Sequence, residues 1–318
     1  MIYFIVNEIS RTGKGANAWK EVKRLATEAG VEYKAYKTEY EGHAIKLANH
    51  ICRMEDDDIC LVVVGGDGTM NEVINGMEHF EKVRFGMIPN GSGNDFGRGL
   101  NLPKSIEENW NMILSCINEG KASYTSMDLG QVEWDGCQKP RLFGISSGVG
   151  MDAIVCKKAI HSNLKKFLNK IHLGKLTYVF ITIYTLFSMD TTEAEVTYMD
   201  ESGNPLETKQ LTKMIFSAAM NLHAEGGGVP MAPKGNAFDG LLSVSSAYQI
   251  PKWRTFFCLP ILMAAKHEKL KGFCIKDGAS VHMTISKPMV LHADGEYLGD
   301  PTEITFTCLP NKLKMLMK

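Results

Sequence analysis

Neither familiar glycine fingerprint for nucleotides occurs in this chain: it has no G-x-x-x-x-G-K-[ST] and no G-x-G-x-x-G. The nine histidines show no H-E-x-x-H or clustered metal spacing, so no zinc site is expected. Charge of one sign is also missing. With 35 basic and 36 acidic residues the formal net charge is -1, and broad nucleic-acid binding, which leaves a strongly basic footprint, is not expected. The apolar run LTYVFITIYTLF is shorter than the roughly 20 residues needed to cross a bilayer. The start, MIYFIVNE, is too short and lacks the basic region of a signal peptide, and the eight cysteines form no C-x-x-C. A cytoplasmic protein with reduced, mostly buried thiols is therefore expected. The 18 methionines are dispersed and read as core filler.

What is present is an ordinary globular composition, 44% hydrophobic and 22% charged, over 318 residues, enough for two domains. The organising stretch is Ile59 to Glu72, ICLVVVGGDGTMNE. A short apolar run rich in β-branched residues reads as a central parallel strand covered on both faces. Gly65, Gly66 and Gly68 then allow a sharp turn with no Cβ in the way of a ligand. The following helix points its free amides and positive dipole end into the same space, a ready anion site. Asp67 in such a loop would repel a bare phosphate, so a metal, a lysine or a hydroxyl is expected as its partner. Thr69 is expected as the helix N-cap, with Glu72 completing a capping box.

The chain opens with a strand, Ile2 to Val6, ending at Asn7 and followed by a polar glycine-bearing loop through Ser10 and Arg11 and then a helix. A second strand ends near Thr38. After the GGDGT helix, a strand from Arg84 to Ile88 runs into PNGSGNDFGRGL, whose Asn90, Gly91, Ser92, Gly93 and Asn94 offer amides and short polar side chains. Ligands of open α/β sheets bind outside the carboxyl ends of the strands. Two glycine loops at neighbouring strand ends therefore point to a phosphate or nucleotide site.

GGDGTMNEVING followed by IPNGSGNDFGRGL resembles the diacylglycerol kinase catalytic-domain family, which includes bacterial lipid kinases and the sphingosine and ceramide kinases. The family's N-P-x-S-G opening is partly kept here, as Asn7-Glu8-Ile9-Ser10-Arg11. The resemblance implies a Rossmann-like three-layer α/β nucleotide domain, followed by an antiparallel β-sandwich domain, with the active site in the cleft between them. Residues after Met127 agree: short alternating stretches such as Asp128 to Trp134, Leu142 to Ser146 and Glu303 to Cys308 read as antiparallel strands. The expected boundaries are 1–127, with the tail 310–318 packed back on it, and 128–309.

By the same resemblance ATP is the co-substrate, held by Gly65 to Thr69, Asn71 and Asn90 to Ser92 with Asn7, Ser10, Arg11 and Thr38 nearby. Glu296 in HADGEYLG would be the proton acceptor for a lipid hydroxyl, with Asp294 as the alternative and Asp67 orienting Mg²⁺ or the acceptor. Asp239 would bind Mg²⁺ with the backbone carbonyls of Asn236 and Leu241, a hard-oxygen set suited to that ion. Two helical stretches, Lys157 to Met189 and Ile250 to Lys271, mix basic with apolar residues. They are expected either to pack on the sheet or to meet a membrane surface at the inner face. These features are expected to make an ATP-dependent kinase of a diacylglycerol-like or sphingoid lipid, and a homodimer is compatible with it. The alternatives are a kinase of a soluble acceptor in the manner of NAD kinase, and a non-catalytic nucleotide- or lipid-binding regulator.

Overall fold

The computed structural model describes residues 1–13, 15–54, 58–155, 184–186 and 188–318. The expected helix from Lys157 to Met189 falls largely outside them.

The first strand, β1 (Ile2–Val6), and the third, β3 (Ile59–Gly65), are buried along their whole length. Both pair in parallel, β1 with β2 (Tyr33–Lys37) on one side and with β3 on the other, while β3 pairs with β4 (Val83–Pro89). The strand order is thus β4-β3-β1-β2. Alternation along these strands builds two cores. Tyr3, Ile5, Leu61, Val63 and Phe85 face one side with α3 (His43–Cys52) and α4 (Asp67–Gly76). Ile2, Phe4, Val6, Val62 and Val64 face the other with α2 (Gly15–Glu28) and α6 (Ile106–Asn118). A strand apolar at every position therefore serves two helical layers, as the continuous apolar run required. A helical turn, α1 (Ser10–Gly13), and a short helix, α5 (Asp95–Gly99), sit at the carboxyl ends of β1 and β4.

From β5 (Thr125–Trp134) onward the strands pair with one another in antiparallel fashion among the described residues. Strands β7 (Ser146–Gly150), β8 (Thr192–Met199), β9 (Pro205–Met220) and β12 (Ser280–Ile285) surround a separate core of Val149, Val196, Phe216, Val281 and Phe306. The long last strand, β15 (Glu303–Met315), pairs with β5 and β12 and then runs parallel to β4 through Lys314 and Met315. One sheet of fifteen strands therefore passes through both parts of the described chain. The stretch Leu142 to Ser146 is not one strand as expected. It divides into β6 (Arg141–Phe143) and β7, because the amides of Gly144, Ile145 and Ser146 turn to the carboxylate of Asp294.

Among the described residues no helix is long and apolar enough to cross a membrane. Seven described cysteines are free thiols, five of them buried. The expected helix from Ile250 is α7 (Lys252–Met263), interrupted by Pro260.

Candidate active site at the strand ends

Chain direction across the sheet reverses between β1 and β3, since β1 is followed outward to β2 and the chain then returns to β3. Such a switch point leaves a crevice at the strand ends. The amide of Asn7 donates to Val64 O at 2.9 Å, and its side-chain Nδ2 donates to Thr69 Oγ1 at 2.9 Å. Asn7 Oδ1 accepts the amides of Ile9 and Ser10, each at 3.1 Å, which folds the polar loop back over β1. Asn90 closes the other side: its amide donates to Gly65 O at 2.7 Å and its Nδ2 reaches Ser10 Oγ at 3.4 Å. Thr38 stands one strand over, its amide bonded to Val6 O. Arg11 and Ser92 stand on the exposed rim.

The two glycine loops touch. A Cβ on Gly66 would lie 3.0 Å from Gly91 Cα, and one on Gly91 would lie 2.7 Å from Gly66 Cα. Backbone meets backbone there, so neither position has room for a side chain. Together the loops surround the N-terminus of α4, whose first amides have no partner within the helix.

Among the described residues the partner of Asp67 is neither a lysine nor a hydroxyl. Its carboxylate accepts the amides of Asp95 and Phe96, both at 3.2 Å, and so caps α5 from another loop. Burial, with Asp95 close by, pushes its carboxyl up to about 6 against the pull of those two amides. A carboxyl raised in this way binds its proton more tightly folded than unfolded. Stability therefore falls as pH rises from about 4 to about 6 and is level above that window. The gap in thermal midpoint between wild type and Asp67→Asn is expected to move against the wild type across that window. An unchanged gap from pH 4 to pH 7 would show that Asp67 titrates normally.

The expected capping box is absent. Helix α4 begins at Asp67, with Gly66 as its N-cap and no side-chain cap. Glu72 instead accepts the amides of Gly42 and Ala44, at 2.9 and 3.1 Å, and caps α3. The hydroxyl of Thr69 serves as acceptor for Asn7. Packing of α3 against α4 brought a nearer need for the carboxylate than its own helix end.

The β13–β14 hairpin approaches from the second half of the chain. Strands β13 (Leu291–Ala293) and β14 (Glu296–Gly299) are joined by Asp294 and Gly295, with φ of 47° and 87°. Positive φ at both central residues is the two-residue turn that suits strand twist and favours Asp-Gly. Asp294 faces inward: its carboxylate accepts the amides of Gly144, Ile145 and Ser146 and the Nδ2 of Asn71, at 2.8 to 3.0 Å. Asn71, fully buried, also bonds Leu142 O, so its side chain ties α4 to the second half of the chain. Glu296 faces the loops. Its Oε1 would lie 3.4 Å from a Cβ on Gly68. Burial raises its carboxyl above the ordinary value, as do Glu41, Glu72 and Asp294, while Arg141 opposes them.

Arg141, unmarked in the sequence, donates to Asn71 Oδ1 and lies close enough to Glu296 and Asp294 to feel both. Its Nε is buried without a hydrogen-bond partner among the described residues. Asp95, also missed, accepts from Arg98 and from the Gly227 amide, joining the second loop to residues far along the chain. Its place at the start of α5, beside a basic residue three positions on, was the one available signal.

The turn at Asn236, Asp239 and Leu241 hangs from a different carboxylate. Asp128, buried, accepts the amides of Gly240 and Asn311, and its own amide donates to Ala237 O. Asp239 is exposed and accepts the Leu241 amide at 3.0 Å. Partial burial, Asp128 and Asp277 raise its carboxyl. An acidic group raised by other acidic groups, in a turn that also carries backbone carbonyls, fits a hard divalent cation.

An α/β domain with paired glycine loops, faced by a carboxylate from a β-rich domain, defines a nucleotide-dependent phosphotransferase. Comparison with known proteins agrees at the level of sequence. Residues 1–132 match the diacylglycerol kinase catalytic domain, and residues 145–317 match the YegS C-terminal NAD kinase beta sandwich-like domain. The chain is similar to YtlR of Bacillus subtilis (strain 168), which is named among lipid kinases, at 26% identity over 316 residues, 98% of each chain. It is 26% identical over 280 residues to the diacylglycerol kinase of Staphylococcus carnosus (strain TM300), covering 88% of this chain and 83% of that one. A crystal structure of a diacylglycerol kinase from Bacillus anthracis str. Sterne shares the fold, with a TM-score of 0.68, 19% identity and coverage of 100% and 96%. This chain belongs to the diacylglycerol kinase family.

Proposed function

We propose that the protein transfers the γ-phosphate of ATP to a hydroxyl of a diacylglycerol-like lipid, with Glu296 as the general base. The observation that carries the reading is the meeting of Glu296 with Gly68, the first turn of the phosphate-side helix. It brings a base to the amides that would hold the transferring phosphoryl group. Phosphoryl transfer asks mainly for positioning and charge neutralisation. Amides of Gly66 to Thr69 and of Ser92 supply donors, with the Gly91 amide held by Asn94 Oδ1 at 2.6 Å, while Asn7, Ser10, Thr38 and Asn90 line the nucleotide side. Asp67 fixes one loop against the other through α5. A carboxylate with a raised proton affinity is a better base near neutral pH than an ordinary one. Asn236, Asp239 and Leu241 would hold Mg²⁺, which when bound supplies positive charge to that turn.

The lipid reading is supported by α7. Trp253 and Phe257 on it are 62% and 64% exposed, their rings 6.4 Å apart, and Arg254 on the same helix and Lys266, Lys269 and Lys271 in the residues that follow it are exposed. Exposed aromatic rings and basic side chains on one stretch of chain suit an anionic membrane surface, at about 1 kcal/mol per well-placed charge.

The test is transfer of labelled γ-phosphate from ATP with Mg²⁺ to diacylglycerol, monoacylglycerol, sphingosine, ceramide and phosphatidylglycerol in mixed micelles, with NAD as the soluble control. Label in a lipid supports the reading and names the acceptor. Label on NAD alone transfers the protein to the soluble-acceptor class.

A further inference from the structure

A buried cluster behind the Asp294–Gly295 turn takes no part in the reaction described above. His292, on β13, is 2% exposed, and the side chain of Asp152, in the helical residues 151–155 after β7, is 8% exposed. His292 Nε2 lies 3.1 Å from Asp152 Oδ2, and the Gly295 amide donates to His292 Nδ1 at 3.1 Å. Glu225 completes the group, accepting from Ser146 Oγ, and the ligand atoms of Asp152, Glu225 and His292 lie within 4.8 Å of one another.

Three such groups at that separation suggest a divalent cation, but the imidazole's hydrogen bonds oppose one. A neutral imidazole has one N–H and one lone pair. The Gly295 amide occupies the lone pair of Nδ1, so the ring proton sits on Nε2. A cation at Nε2 would need a lone pair there. The ring is therefore held in one tautomer, donating to Asp152 and accepting from Gly295.

That tautomer bears on Glu296. A two-residue turn leaves the amides of both central residues without partners inside the turn. Here Asp294 N donates to Ser146 O at 2.8 Å, and Gly295 N to His292. The residue after this doubly pinned turn is Glu296, paired across the hairpin with Ala293. We infer that His292, oriented by Asp152, is a positioning residue that fixes the Asp294–Gly295 peptides and thereby aims the Glu296 carboxylate at the transferring phosphoryl group. The kinetic side of this inference rests on the proposed kinase reading; the structural side does not.

Two isosteric halves of histidine separate this role from plain core packing. Asparagine keeps an acceptor near the Nδ1 position, and glutamine keeps a donor near Nε2. His292→Asn is expected to retain kcat within about threefold, whereas His292→Gln loses about tenfold or more in kcat with KM for ATP unchanged, since small misplacement of a reacting group is costly. Hydrogen exchange at the Gly295 amide, followed by NMR, is expected to quicken in the Gln variant and stay slow in the Asn variant. Equal losses in the two variants, with Gly295 exchange alike in both, overturn the inference. Asp152→Asn, which still accepts from Nε2–H, should keep kcat within about threefold. A fall beyond tenfold there would also overturn it and favour a site that needs the charge. If the wild type phosphorylates no acceptor, the kinase reading fails, and the Gly295 exchange comparison still decides whether His292 pins the turn.

Discussion

Glu296→Gln is expected to lower phosphate transfer to lipid by about 10² to 10⁴, the range that general-base assistance supplies. ATP binding should be unchanged, because the glycine loops and Asn7, Asn90 and Thr69 hold one another without Glu296. Thermal stability should not fall. The wild-type carboxylate is partly buried near Glu41, Glu72 and Asp294, and the neutral amide relieves that repulsion. The sign with pH follows from the same cause. A base must be ionised, so transfer by the wild type should rise with pH through a limb displaced above the ordinary glutamate range. Measuring kcat in mixed micelles from pH 5 to pH 9 checks both statements. A Gln variant with wild-type kcat would remove Glu296 from the chemistry.

Asp294→Ala, two residues away, should fail in a different manner. Its carboxylate satisfies three consecutive backbone amides and the Nδ2 of Asn71, which lies 223 residues away in sequence. Each buried donor left unsatisfied costs about 1 to 3 kcal/mol. The variant should therefore lose at least about 3 kcal/mol of stability by that scale, seen as an earlier unfolding midpoint in denaturant. Activity would fall with the folded population. Should Asp294→Ala keep its stability while kcat collapses, the base would be Asp294 and Glu296 the neighbour.

Much of this was legible in the chain itself. The buried run Ile59 to Val64 and its glycine turn declared a central strand entering a helix, because apolarity on both faces and the loss of Cβ atoms are local signals. The crossing of Gly66 over Gly91 was half legible: each loop could be read, but their contact depends on β3 and β4 being neighbours. Other features were hidden because their partners are remote. Glu72 looked like a cap for its own helix and caps α3 instead. The bonds of Asp67 to the amides of Asp95 and Phe96 could not be read from its own loop. Arg141, Asp152 and Glu225 carry no motif, and gain meaning only when β6, β7 and the hairpin meet. The break at Gly144 and Ile145 in a seemingly continuous strand has the same origin.

The crossed loops and Glu296 are expected to form one phosphoryl-transfer site. A crystal structure with a non-hydrolysable ATP analogue tests it most directly. The γ-phosphate should accept hydrogen bonds from the amides at the start of α4, with the Glu296 carboxylate facing it across an acceptor-sized gap. A nucleotide bound away from Gly66 and Gly91, or a γ-phosphate turned from Glu296, would contradict the account.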